Sequence, residues 1–219
     1  MKRLFICVEG LTEEIFVERL LRSHLWHHGI KVERPLQAKK DFDPEGSRGG
    51  FTNWPAMEAD MRDWFGDHPD TETDRCRFTT LLDLYALPPT VPGYPGLRAA
   101  TTAAHVTAIE AAIATQLEEP RFWPYLQRHE FEALLLAYPP ALAVIFPGSG
   151  PAIAQLETSI AGLNPEDINH GAATHPAERI KTAIPEYYSL KASNAFWVAA
   201  EVTLERMCAR CPRFRAWLE

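Results

Sequence analysis

Five consecutive apolar residues, Leu4 to Val8, stop at Glu9-Gly10 and give way to an apolar stripe at Ile15, Phe16, Leu20 and Leu21. A continuous, partly β-branched run of this length reads as a strand buried on both faces, because a strand with one wet face alternates. Such a strand needs helices on both sides of its sheet, and the following stripe has helical spacing. Buried strand, short turn and amphipathic helix form the opening unit of an α/β sheet. Thr12 is the expected cap of that helix.

The pattern recurs along the chain. Arg77 to Leu82 reads as a second buried strand ending at Asp83, and Phe122 to His129 as a third. Helices are expected over Trp54–Trp64, over the Ala-rich Thr101–Leu117, from Phe131 towards Ala137, and over Asn194–Arg210. Residues 36–53 are polar, with Lys39, Lys40 and Arg48 in a cationic loop. The stretches 87–96, 147–151 and 164–176 are read as loops, and the 18 prolines as loop residues that fix φ and remove donors. The alternation of strand and helix predicts an α/β fold with a mainly parallel central sheet flanked by helices. We expect a core over residues 1–140 and a helical, loop-containing extension over 141–219 packed on it as one domain.

Composition narrows the function classes. At 46% hydrophobic and 23% charged, the chain can bury a core without disulfides. Its four cysteines are spread widely, which favours reduced thiols and a cytoplasmic location. No run approaches the roughly 18 apolar residues of a membrane span, and MKRLFICVEG is too short and too polar for a signal peptide. A net charge of −7 argues against bulk attraction to nucleic acid, while leaving room for a local basic groove. The absence of a GxxxxGK[ST] string excludes P-loop nucleotide hydrolysis.

The candidate chemistry lies in the acids. Open α/β sheets gather function at the carboxyl ends of their strands. Glu9 and Asp83 each follow an apolar run there, and Glu130 or Glu132 follows the third strand in QRHEFEALLL. Carboxylates delivered from several strand ends suit a hard divalent cation, Mg²⁺ or Mn²⁺, which activates water and offsets charge on a phosphodiester. An acid after a strand is also commonly a helix cap or a solvated turn residue, and Glu13 and Glu14 fit that role better. His129 can serve as base or phosphate donor, or be a core histidine held by a carbonyl. Gln127 shares that strand and can donate to a phosphate. Arg179 and Lys181, with the cations of the 36–53 loop, can line a phosphate-facing groove or be scattered surface charge. Cys208 and Cys211 have CxxC spacing without a second pair, so packing is favoured over zinc.

The strings VEGLTEEIFVERLL, TTLLDLYALPPTVPG, PYLQRHEFEALL, NPEDINHG and CPRFRAWL follow one another in order. Together they resemble the domain of unknown function 4276 family, a member of the Toprim-like proteins, over nearly the whole chain. The Toprim resemblance implies a glutamate after the first strand, matched by Glu9, and an Asp-x-Asp after a later one. Asp83 matches its first acid, but Tyr85 stands at the second. A phenol protonated at neutral pH is a poor ligand for a hard cation, so Glu132, with Glu130 second, is the expected completion. Lys191 in YYSLKASN resembles the family's Tyr-x-Lys region and would neutralise transition-state charge.

Three functions follow as expectations. The first is a Toprim-like, Mg²⁺- or Mn²⁺-dependent nuclease using Glu9, Asp83, Glu132 and Lys191 on a nucleic-acid substrate. The second, suggested by Tyr85 and the acidic charge, is a conditionally active or non-catalytic module docked on a partner ATPase, as in phage-defence pairs. The third reuses the metal site on a small phosphate compound.

Overall fold

The computed structural model describes residues 1–38, 53–85, 87–96, 102–168, 171 and 173–219, which form two compact units, Met1–Leu126 and Gln127–Glu219. The expected cations Lys39, Lys40 and Arg48 lie outside the described residues.

The first unit is the α/β part. It begins with β1 (Lys2–Val8) and α1 (Leu11–Phe16), which continues through a π-helical turn (Val17–Leu21) into α2 (Arg22–His27). Gly29, at φ 73°, stops that helix; its N–H bonds the Trp26 carbonyl, and the left-handed conformation suits a residue without Cβ. Two short strands, β2 (Ile30–Val32) and β3 (Leu36–Gln37), come next, then α3 (Trp54–Asp67), β4 (Arg75–Asp83) and α4 (Ala103–Leu117). The last strands are β5 (Phe122–Trp123) and β6 (Leu126–Gln127). The strand order is β2-β1-β4-β5, with β3 also beside β1 and β6 beside β4; β1 runs parallel to β2, β3 and β4, and β4 parallel to β5.

Alternation along β1 explains why its sequence is apolar throughout. Phe5 and Cys7 join a core built with Met57, Met61 and Phe65 of α3 and Val106, Ile109 and Ile113 of α4. Ile6 and Val8 point to the opposite face and are fully buried as well. At the centre the Phe5 and Phe78 rings stack at 4.9 Å, and Phe65 meets Phe78 edge-on at 4.9 Å. Asn53 accepts from Ala56 N to cap α3, and Arg121 donates to the Phe65 and His68 carbonyls at its far end.

Several expectations need correction. The first helix is not capped by Thr12; its N-cap is Gly10, two residues earlier, and the Glu13 carboxylate accepts from Gly10 N at 3.0 Å. The third strand is not continuous, because Pro124 cannot donate to a ladder. Thr80 spans the gap with its hydroxyl, donating to Tyr125 O at 2.7 Å and accepting from Tyr125 N at 2.8 Å. The terminal helix divides at Thr203, whose φ is 70° and whose side chain accepts from Arg206 N.

The second unit is helical: α5 (Glu132–Leu135), α6 (Gly150–Ser159), α7 (Pro176–Ala183), α8 (Lys191–Val202), α9 (Leu204–Arg210) and α10 (Pro212–Leu218). Prolines read as loop residues instead open helical turns here, at Pro139, Pro147, Pro165, Pro176, Pro185 and Pro212. A proline's fixed φ suits the first turn, where its missing N–H has no intrahelical role. Leu134, Leu142, Ile180, Val198, Met207 and Phe214 are among its buried side chains.

Candidate active site

In the first unit the register pairs Val8 with Leu81, which sets Glu9 and Asp83 at the carboxyl ends of adjacent parallel strands. Glu9 N donates to Leu81 O at 3.3 Å, extending the ladder by one bond. The Glu9 carboxylate then turns across the strands, and its Oε2 accepts from Asp83 N at 3.0 Å. Two acids 74 positions apart therefore share one strand-end corner, each partly open to solvent. Tyr85, two residues beyond Asp83, is also half-buried. Glu13 is 94% withdrawn from solvent and holds the turn at Gly10, while Glu14 receives the Gln37 side chain. Both have structural partners, the role expected of first-turn acids.

The second unit concentrates buried polar groups around α5. Glu132 is fully buried; its Oε1 accepts from the Tyr187 hydroxyl at 3.2 Å and lies 2.9 Å from Lys191 Nζ. Asn194, one turn after Lys191, donates to Tyr187 O at 2.9 Å and so fixes the residue that bonds Glu132. Glu130 lies at the start of α7, accepting from Ala177 N at 2.8 Å with His175 Nδ1 at 3.0 Å. Burial, reinforced by the nearby Glu132 charge, pushes the Glu130 carboxyl above its ordinary value despite these bonds. His129, one residue earlier, is 1% exposed with φ 67°, a left-handed conformation that non-glycine residues adopt at some cost. Gln127 donates to its neighbour's carbonyl, Arg128 O, at 3.3 Å.

The structure thus joins Glu9 to Asp83 within the first unit, and Glu132 to Lys191 within the second. Among the described residues, no group of three or more His, Cys, Asp or Glu side chains has the arrangement of a metal site. Cys208 and Cys211 are free thiols; Cys211 is fully buried and burial raises its pKa, as packing requires. Arg179 donates to Thr174 O and Lys181 pairs with Glu178, so each is engaged around α7.

A family described as Domain of unknown function (DUF4276) matches residues 8–219. The chain belongs to the DUF4276 family. No curated protein and no solved structure matches it. The match runs through both carboxylate clusters of this DUF4276 chain, from the residue before Glu9 to the C-terminal residue.

Four residues of the second cluster were not anticipated. Tyr187 and His175 bond Glu132 and Glu130 across 55 and 45 positions, Asn194 in turn holds Tyr187, and no periodicity marks them. Glu166 is 1% exposed, and its two oxygens accept from Arg213 N and Phe214 N at 2.9 Å, at the start of α10. The only available signal was a carboxylate just after Asn-Pro together with a helix start at Cys-Pro, and that does not pair them.

Proposed function

We propose that this protein is a metal-dependent phosphodiesterase of the nuclease type, with a Toprim-like active corner at Glu9 and Asp83. The observation that carries this reading is the Glu9 carboxylate bonded to the Asp83 amide at the carboxyl ends of neighbouring parallel strands. The donor set fits Mg²⁺ or Mn²⁺: both acids offer hard oxygen ligands, and partial exposure leaves room for water. Mg²⁺ is commonly held by only one or two carboxylates, the remaining positions being water and substrate phosphate. Two acids therefore suffice, although Tyr85 supplies no third. When bound, the cation would activate water and offset charge on the phosphodiester.

The chain's own residues would divide the remaining work. Asp83 N–H holds one oxygen of Glu9, which fixes the carboxylate's orientation before a cation arrives. Lys191 belongs to the second unit, where it pairs with buried Glu132, and no role at the Glu9–Asp83 corner is assigned to it. Glu130 and Glu132 have internal partners in Ala177, His175, Tyr187 and Lys191, so we assign them to holding that lysine and its surroundings.

The test is calorimetric titration of Mg²⁺ and Mn²⁺ into wild type and Asp83→Ala, with cleavage of labelled DNA and RNA measured alongside. Wild-type binding and cleavage lost together in the variant support the reading. Absence of binding in both overturns it. That second outcome would favour a conditionally active module docked on an ATPase, a reading to which Tyr85 and the lack of a three-residue metal group among the described residues lend weight.

A further inference from the structure

At the open edge of the sheet, beside β2, a groove of about 550 Å³ is lined by Glu18, Arg22, Trp26, Lys31, Glu33 and Arg34, among others. Glu18, Arg22 and Trp26 recur at intervals of four, so one helix face supplies one wall, and the strand with its exit supplies the other. The helix carries its π turn at Val17–Leu21, where this wall begins. Such turns are rare and often accompany functional sites.

Two properties make this wall unlike ordinary surface. Trp26 is 61% exposed, a large apolar area left in water. The charge is also locally inverted. Glu33 is already held by Arg3 at 2.7 Å and Lys31 at 2.9 Å, and Glu18 by Arg22 at 3.5 Å. Arg34 is exposed, and among the described residues no carboxylate forms an ion pair with it. Among the lining residues Arg22, Lys31 and Arg34 against Glu18 and Glu33 leave one positive charge in excess, in a chain whose net charge is −7. A local excess of this kind attracts anions irrespective of the total.

We propose that this groove binds single-stranded nucleic acid, with Trp26 stacking on a base and Arg34 and Lys31 meeting the backbone phosphates. Stacking on an exposed aromatic requires an unpaired base, whereas a duplex offers only its backbone. An anionic polymer satisfies both the unspent positive charge and the apolar face, which an acidic peptide would match only in charge. The groove's place along the sheet suits such a role. Arg34 falls between Val32, opposite Leu4, and Leu36, opposite Cys7, so it is about three residues, roughly 10 Å, short of Glu9 along β1. This inference rests on the nuclease reading by naming the form of its substrate, but its test does not need cleavage.

Fluorescence anisotropy of labelled oligo(dT), oligo(rU) and a duplex of equal length, in EDTA and low salt, reads binding alone. Wild type should prefer the single strands. Trp26→Ala and Arg34→Glu should each weaken binding about 10-fold, and Arg34→Glu should also lower the salt dependence, since each phosphate contact on a single strand contributes about 0.7 to that slope. Both positions are exposed, so thermal melts should match wild type. EDTA strips any divalent cation from the Glu9–Asp83 corner, so the binding read in this assay is separated from metal-dependent chemistry. Cleavage that persists undiminished in Trp26→Ala and Arg34→Glu would sink the groove and spare the nuclease reading. Binding at the groove without metal-dependent cleavage would do the reverse. Failure of wild type to bind any strand, or a wild-type dimer that Trp26→Ala converts to monomer, overturns the proposal.

Discussion

The two units treat their acids in opposite ways. In the first, Glu9 and Asp83 sit at strand ends and stay partly open, while Glu33 and Glu119 are held by arginine near the surface. In the second, Glu130, Glu132 and Glu166 are withdrawn from water and bonded by backbone amides, a tyrosine, a histidine and a lysine, with only Oε1 of Glu132 engaged. A parallel sheet ends in a row of open turns, so its carboxylates remain available to a ligand. A helical unit has many orphan amide donors at its helix starts, and buried carboxylates satisfy them. Hence the first arrangement favours chemistry and the second favours architecture. Mutations should separate the two.

The largest effect on stability is expected at Lys191. Lys191→Met leaves Glu132 as a fully buried carboxylate without its counter-charge, and breaking such a pair costs about 3–5 kcal/mol. Urea denaturation measures this, and the double variant Lys191→Met/Glu132→Leu should recover most of the loss, because an apolar pair has no charge to desolvate. If the single variant is as stable as wild type, the pair is solvated and the contrast between units fails. Glu166→Ala comes next. It strips the acceptor from the Arg213 and Phe214 amides at the start of α10, at about 2 kcal/mol for buried donors left unsatisfied. A wild-type denaturation midpoint in Glu166→Ala would mean that water replaces the carboxylate.

How much of this could be read from residues alone follows the same division. β1 was legible because burial on both faces leaves an uninterrupted apolar run, and β4 because Phe78, Leu81 and Leu82 flank two β-branched threonines; their ends then located Glu9 and Asp83. β2 and β3 were not, since three and two residues carry no pattern. Pro124 was visible in the third strand, yet the run on either side outweighed it; only Thr80, a side chain from another strand, shows how the break is satisfied. In the second unit the acids Glu130 and Glu132 stood out, but their partners Ala177, His175 and Tyr187 come from segments that only tertiary folding brings near. Local patterns report burial. They do not report which distant donor a buried acid will find.

The pH response sharpens the comparison with a smaller effect. Burial works to raise the Glu33 carboxyl, but hydrogen bonds from Lys31 and Arg3 prevail and hold it below its ordinary value; the Arg121 bond does the same for Glu119. A depressed carboxyl stabilises the fold above its unfolded pKa, and that contribution is lost as pH falls through the folded one. Burial raises Glu166, despite its amide bonds, so the folded state binds its proton more tightly than the unfolded chain. Its favourable contribution is present at pH below the ordinary carboxylate value and is lost as pH rises through the raised one. Denaturation should therefore show Glu33→Gln becoming less destabilising as pH falls below about 4.5, and Glu166→Gln becoming less destabilising as pH rises above about 4.5. Parallel trends in the two variants would contradict the contrast.

The smallest stability change is expected at the open corner itself. Asp83→Asn keeps the backbone amide that orients Glu9 and removes one charge from a partly exposed site. Surface-accessible changes of that kind lie within about 0.5 kcal/mol, and relief of repulsion between neighbouring acids would make the change stabilising. The same substitution should abolish calorimetric Mg²⁺ binding, because a neutral amide is a far poorer ligand for a hard cation. A site kept for binding shows this signature: loss of ligand with no loss of fold. If Asp83→Asn instead unfolds the protein as readily as Lys191→Met, the carboxylate at the strand end is structural, and the first unit's acids serve the same purpose as the second's.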